Sequence, residues 1–363
     1  MYSGSSEMKP NQRKRIIDII EKYSCITGPV NIMEVCGTHT MSISRSGLRT
    51  VLPGNISLLS GPGCPVCVTS QADVDMALEL SDEKDVIITS YGDLLRVPGS
   101  RQGDSLFRRK AEGSDVRAVY SPVDALEIAE KNSDKEVVFL GVGFETTAPG
   151  TAACILDAAE KRIDNFSVLC LLKRTEPALR ALIEADDFNV SGFICPGHVA
   201  VITGWKRFSF LAEEYGLPGV VSGFEPDDIL CAVAELMKMI KDGKPEVKNE
   251  YTRLVRPQGN PAALRIMEEI FDTCSSRWRG LGIIENSGYR LKEKYAGFDA
   301  YRKFSLKRGD DKEIGGCRCG QIIRGVERPK DCPLFGNRCT PAEPVGPCMV
   351  SSEGACAAAY MYE

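Results

Sequence analysis

Residues 61–70, GPGCPVCVTS, place Cys64 and Cys67 three positions apart in a turn stiffened by two prolines. A pair so spaced closes a disulfide, chelates a metal or simply packs, and the ten residues alone do not choose. Two further cysteines each stand three residues before a histidine, in Cys36-Gly-Thr-His39 and Cys195-Pro-Gly-His198, and these are the only two histidines of the chain. Such a turn brings thiol and imidazole together, so that an imidazolium lowers the thiol pKa, or it offers a soft ligand and a nitrogen donor to a metal. If the loops 36–40 and 61–68 are neighbours at one sheet edge, Cys36, Cys64 and Cys67 form a three-thiolate site. Such a site suits ferrous iron, zinc or copper(I) and leaves coordination open.

The densest cluster is C-terminal: Cys317, Cys319, Cys332, Cys339, Cys348 and Cys356 fall within 40 residues. Zinc sites of four cysteines usually show two short knuckles, which are absent here. An iron–sulfur cluster tolerates wider spacing and takes four thiolates. Iron–sulfur is therefore the first reading and zinc the second, with two cysteines left over for a disulfide beside the cluster. Cys25, Cys154, Cys170, Cys231 and Cys274 stand singly in apolar or helical contexts and are expected to pack as small hydrophobes.

Composition frames this chemistry. The chain has 363 residues, 15 of them cysteine, with 43% hydrophobic and 26% charged residues and a net charge of −5. These are values of an ordinary globular protein, without the basic block that nucleic acid would select. No apolar run reaches the roughly 18–20 residues of a membrane span, and MYSGSSEMKPNQRKR lacks the apolar stretch of a signal peptide. The expected location is the cytoplasm. Its reducing conditions disfavour structural disulfides and turn clustered cysteines toward metal or redox work.

The elements that must position these residues alternate. An amphipathic helix is expected over 11–23. Short β-branched runs then precede the chemical loops: VNIMEV before CGTHT, ISLL before SGPGCPVC, DVIITS before YGDLLRVPG, EVVFLGV before GFETTAPG, FSVLCLL before KRTEP, SGFI before CPGHV, and GVV before SGFEPDD. Helical stretches such as SPVDALEIAEKN and TAACILDAAEKR lie between them. The pattern predicts an α/β fold with parallel sheets and puts the chemistry at the carboxyl ends of the strands, where such sheets bind ligands. The expected organisation is an N-terminal helix over 1–27, an α/β lobe over 28–115, a second over 116–226, and a mainly helical and irregular cysteine-rich domain over 227–363. Helices are expected over 227–242, capped near Asp227 or Asp228 and ended by Gly243, and over PAALRIMEEIFDTC. The two Cys-x-x-His turns then fall in different lobes. After about residue 310 the chain has little periodicity and needs a staple. GVGFETTAPG only loosely resembles a phosphate loop. Its Glu145 reads either as a lone carboxylate facing the cleft or as a helix-start residue stabilised by the helix dipole.

Taken in order, EVCGTHT, GPGCPVCVTS, GFETTAPG, FICPGHV and the six-cysteine tail resemble the HypD family of NiFe hydrogenase maturation proteins, from about residue 30 to the C-terminus. The resemblance implies two α/β lobes facing a cleft and a third region with a 4Fe–4S cluster. It implies a scaffold that assembles the Fe(CN)2CO group with a small partner, HypC. HypE delivers cyanide from a thiocyanate on its own C-terminal cysteine, and HypF makes the carbamoyl precursor. Cys36 resembles the thiolate that shares the iron with HypC, and Cys64 and Cys67 the pair needed beside it, as ligands or as a dithiol. The spacing C-x14-C-x6-C-x16-C runs through Cys317, Cys332, Cys339 and Cys356, which look like the cluster ligands. Cys319 and Cys348 then resemble a redox disulfide next to the cluster, as in ferredoxin–thioredoxin reductase. His39 and His198 are expected to hydrogen-bond iron-bound diatomics or deliver protons, with Glu145 in support.

The expected role is thus an assembly scaffold with redox activity rather than a turnover enzyme, with no nucleic-acid or membrane partner. The competing reading is a free-standing iron–sulfur thiol–disulfide oxidoreductase. Cys36 separates them, since a reductase needs only Cys64 and Cys67. A zinc-stabilised binding protein is a third reading and predicts a colourless preparation.

Overall fold

The short apolar runs fold as strands because β-branched residues fit a pleated surface covered on both faces. In chain order, in the computed structural model, these are β1 (Val30–Glu34), β2 (Ile56–Ser60), β3 (Val86–Ser90), β4 (Val116–Ala118), β5 (Glu136–Gly143), β6 (Phe166–Leu172), β7 (Gly192–Pro196), β8 (Gly219–Ser222) and β9 (Val247–Asn249). The structure describes residues 8–101, 103–311 and 315–363. Two parallel sheets result, ordered β2-β1-β7-β8-β9 and β4-β3-β5-β6. Every residue of β3 and of β7 is buried.

The chain does not pass from one lobe to the next at 115/116. β3 and β4 lie on opposite sides of that point and pair with each other. The chain begins sheet one with β1 and β2, leaves to build all of sheet two, and returns as β7 to pair with β1. The two Cys-x-x-His turns, expected in different lobes, therefore end adjacent strands of one sheet. In sheet one the strand order reverses between β1 and β7, and in sheet two between β3 and β5. Reversal points of this kind open the crevice in which parallel sheets bind ligands.

The N-terminal helix Pro10–Ser24 packs on helix Pro226–Asp242, with Arg13 Nε 2.6 Å from Asp227 Oδ1. Pro226 starts the latter helix after Glu225 as N-cap, and Gly243 ends it at φ 61°. Asp227 and Asp228 thus occupy the first turn instead of the cap, where the helix dipole favours them. The helix expected over PAALRIMEEIFDTC stops at Ile270. Phe271–Trp278 forms β10, which pairs antiparallel with β11 (Gly282–Leu291). The third region thus carries a hairpin besides its helical and irregular parts. Buried residues of both sheets and of the cysteine tail join in one continuous core. Of the single cysteines, Cys154 is buried, Cys170, Cys231 and Cys274 are half-buried, and Cys25 is exposed at the end of the first helix. Among the described residues no helix is long and apolar enough to cross a membrane.

Candidate functional site

Parallel pairing of Glu34 with Ser60 fixes the height at which β1 and β2 release their loops. Cys36 and the 61–68 turn are therefore neighbours at one sheet edge, the condition that the three-thiolate reading required. The contact is a backbone one: the Gly37 N–H donates to Gly63 O at 3.1 Å. A Cβ on Gly63 would lie 2.1 Å from Cys36 N. Cys36 is the N-cap of helix Gly37–Ser46, with extended backbone and no side-chain cap bond. Cys64 caps the short helix Pro65–Val68, its Sγ accepting from the Cys67 N–H at 3.2 Å, and is joined to Cys67 in a disulfide. The three sulfurs are brought to one edge without closing on a single point. Among the described residues no three His, Cys, Asp or Glu side chains are placed to hold one metal ion.

The tail completes this edge. Helix Ala355–Tyr362 packs on helix Gly37–Ser46, and Pro347–Met349 packs on Pro65–Val68. Thr38 Oγ1 donates to Glu353 Oε1 at 2.7 Å, and Gly37 leaves room for the Glu353 side chain. Glu353 is a site residue that the sequence reading missed. Burial, then the Glu353 charge, push the Cys36 thiol up to about 12. Among the tail thiols, Cys319 Sγ and Cys348 Sγ are 2.7 Å apart and Cys348 Sγ and Cys356 Sγ 3.5 Å. Hydrogen bonding to Cys319 and burial hold the Cys317 thiol well above its ordinary range. The Val345 N–H donates to Cys339 Sγ at 3.3 Å, and Cys332 Sγ lies 3.9 Å from Gly316 O. Cys317, Cys339 and Cys356 are packed thiols with raised pKa, and Cys339 Sγ takes a backbone donor, a donor set that fits a thiolate-held group of positive charge.

The two Cys-x-x-His turns differ in use. Cys195 is fully buried, and burial raises its thiol pKa. It faces Gly219, inside sheet one. The histidines flank one ring: His198 stacks on Phe224 at 3.9 Å, and His39 lies 4.7 Å from the same ring. His39 is fully buried, with Nε2 2.8 Å from Gly223 O and Nδ1 without a partner. His198 is exposed. Glu145, at the end of β5, belongs to the other sheet. Its Oε1 and Oε2 accept from the Thr175 N–H at 2.8 Å and the Thr175 hydroxyl at 2.7 Å. It is neither free in a cleft nor at the start of its own helix, and instead holds the first residue of helix Thr175–Ile183.

Beneath Cys36 lies a second buried acid. Glu34 Oε2 accepts from the Cys36 N–H at 3.0 Å, and Oε1 from the Thr40 hydroxyl. Burial raises Glu34 from 4.5 to about 7 and lowers His39 from 6.5 to about 4. Glu34, protonated longer in the folded state, takes stability away as pH rises from 4.5 to 7. His39, kept neutral by the fold, adds stability as pH rises from 4 to 6.5. Each is worth about 3 kcal/mol, and between pH 4.5 and 6.5 their slopes oppose. Relative to the wild type, a Glu34→Gln chain should therefore gain about 3 kcal/mol between pH 4.5 and 7. Urea midpoints across that range measure it, and parallel curves for the two proteins would refute it.

The fold and site define a two-sheet α/β protein whose strand ends and cysteine tail present thiols to a common edge. The family described as "HypD: Hydrogenase formation hypA family" matches residues 11–363. The chain is 47% identical over 346 residues to the hydrogenase maturation factor HypD2 of Bradyrhizobium diazoefficiens, covering 92% of this chain and 90% of that one. It is 45% identical over 339 residues to the hydrogenase maturation factor HypD of Cupriavidus necator, with coverages of 92% and 89%. A putative hydrogenase expression/formation protein of Methanocaldococcus jannaschii is 44% identical over 349 residues, 96% of each chain. The chain belongs to the HypD family of hydrogenase maturation factors.

Proposed function

We propose that this chain is a scaffold and redox partner in NiFe hydrogenase maturation. It assembles the Fe(CN)2CO group with a HypC-type partner and receives cyanide from a HypE-type donor. The observation that carries this reading is the convergence of three loops, with Gly63 on the Cys36 backbone, Glu353 on Gly37, and Pro347–Met349 on the Cys64–Cys67 turn. Cys36 takes the iron cargo and shares it with the partner. Cys64 and Cys67 lie beside it as a dithiol able to join the ligation. Releasing cyanide from a thiocyanate consumes two electrons, R–S–CN giving a thiolate and cyanide, and the dithiol supplies them by closing its disulfide.

Cys317, Cys332, Cys339 and Cys356 would hold a 4Fe–4S cluster, which when bound supplies electrons singly. Cys319 and Cys348, with sulfurs 2.7 Å apart, form the neighbouring disulfide couple. His39 keeps Nδ1 available as an acceptor near Cys36 because Gly223 O occupies Nε2. His198 offers a ring edge at the surface for proton delivery, and Glu145 supports the site indirectly through Thr175.

Anaerobic purification with and without the HypC-type partner, with iron quantification and infrared spectroscopy, tests the reading. About four irons alone, one more in the complex, and bands of metal-bound cyanide and carbonyl are expected. Four irons without such bands would favour the free-standing oxidoreductase, and zinc in place of iron would defeat both.

A further inference from the structure

On the side of the tail facing the β10–β11 turn, a cavity of about 600 Å³ is lined by Gln71, Arg279, Arg318, Arg324, Cys317 and Cys319, among others. Cavities of this size take small molecules. Arg279 is fastened to the chain that follows Cys67. Its backbone N–H donates to Val68 O at 2.9 Å, Nε to Thr69 O at 3.1 Å, and Nη1 to Gln71 Oε1 at 3.2 Å. Its Nη2 is buried and has no partner. Arg324 is fixed by Asp187, 2.8 Å from Nη1, while its Nε is likewise buried and unpartnered. Asp311 is the one acid on the lining among the described residues, and it is engaged by the Ala72 N–H at 2.9 Å.

The guanidinium groups of Arg279, Arg318 and Arg324 on the wall of one cavity call for an anion. Arginine favours oxyanions of carboxylate, sulfonate or phosphate type. The thiols in the same wall state what the rest of the ligand does. We propose that this cavity binds a small anionic thiol, its acid group held by Arg279 and Arg324, which reduces a Cys319–Cys348 disulfide. The inference rests on the reading of that pair as a redox couple. The thiolate attacks Cys319 Sγ, the Cys319–Cys348 bond breaks, and Cys348 leaves as a thiolate that takes up a proton. A second thiolate attacks the external sulfur of the mixed disulfide and frees Cys319. Two external thiols thus become one external disulfide, and the protein gains two electrons and two protons.

The test follows reduction of the oxidised full-length protein under anaerobic conditions by alkylation and mass spectrometry of Cys319 and Cys348. The probes are 2-mercaptoethanesulfonate, 2-mercaptoethanol and cysteamine, compared per thiolate. The sulfonate should react about tenfold faster than the neutral thiol, and the cationic one slowest. Arg279→Gln and Arg324→Gln should each remove that preference, read as the ratio of the sulfonate rate to the mercaptoethanol rate within the same variant. Sulfate should slow the sulfonate alone, which tests the wild type even where a variant does not fold. Equal rates for the three probes, or indifference to sulfate, would overturn the inference. If oxidation never joins Cys319 to Cys348, the redox reading itself fails and the reduction step with it. Calorimetric titration with ethanesulfonate then decides the anion site separately: heat that disappears in Arg279→Gln keeps it, and no heat in the wild type removes it.

Discussion

A Cys36→Ser chain should fold normally and mature no hydrogenase. Cys36 occupies an N-cap position that its thiol leaves unused. Serine is a preferred cap residue, so stability should stay within about 1 kcal/mol of the wild type. What is lost is the sulfur. With its pKa pushed up to about 12, the thiol is protonated at neutral pH, and a metal must displace that proton to bind. A serine hydroxyl does not yield its proton there and is a poor ligand for soft iron. Iron retained in the complex with the HypC-type partner should fall by more than about 100-fold. In the wild type, iron affinity should rise about tenfold per pH unit over the neutral range. Iron content and hydrogenase activity in a strain carrying the variant measure the first claim, and a pH series of iron binding the second. Cys195→Ala is the control. It alters the same Cys-x-x-His pattern, but at a thiol buried against Gly219 inside the sheet, and it should still mature hydrogenase. Normal maturation with Cys36→Ser would remove Cys36 from the site.

Much of this was legible because strand runs and loop motifs are local. Every β-branched run named from the sequence became a strand, and the chemical loops followed their strands directly, except that Cys195 and Pro196 close β7 itself. Strand order was not legible, because it depends on pairing between residues far apart. Nothing in VNIMEV states that its neighbour is GFICP, some 160 residues later. That one pairing joins the two Cys-x-x-His turns in one sheet and sets both histidines on Phe224. The β10–β11 hairpin was hidden for a related reason. Its strands alternate irregularly between exposed and buried positions. The Gly280 and Gly282 pair, at φ 79° and 75°, was the turn signal that could have found it.

Glu353 escaped because a lone glutamate in a Ser/Gly-rich stretch reads as solvated surface. Only the docking of the C-terminal helix on helix Gly37–Ser46 brings it to Thr38 and Cys36. Glu145 reads two ways in the sequence, and tertiary bonds decide its partners. A carboxylate among small residues invites a catalytic reading, but its oxygens are taken by Thr175. The sequence shows which groups are reactive by type. Which of them have free lone pairs is decided by tertiary hydrogen bonds.

A large effect on folding should come from a single methyl group at Gly63. A Cβ there would stand 2.1 Å from Cys36 N, 2.2 Å from Val35 C and 2.5 Å from Cys36 Cα. All three are backbone atoms at the end of β1, and β1 lies between β2 and β7. They cannot rotate away as a side chain would. Relief requires moving the 61–68 turn off the sheet edge, which breaks the Gly37–Gly63 hydrogen bond and disturbs the cap geometry of Cys64. Gly63→Ala should therefore destabilise the chain by about 3 kcal/mol or more. Whatever folds should carry Cys36 and the Cys64–Cys67 turn out of register. The consequence for function is separable from stability. At a temperature where the variant is still folded by circular dichroism, iron retention in the partner complex should drop as it does for Cys36→Ser. Gly216→Ala is the comparison, since Gly216 has open space around it but a positive φ of 65°. It pays only the backbone strain, about 1 kcal/mol, and should leave iron retention unchanged. If Gly63→Ala proved as mild as Gly216→Ala, the Cys36 and Cys64 loops would not be locked together by backbone contact, and the convergence on which the proposed function stands would lose its support.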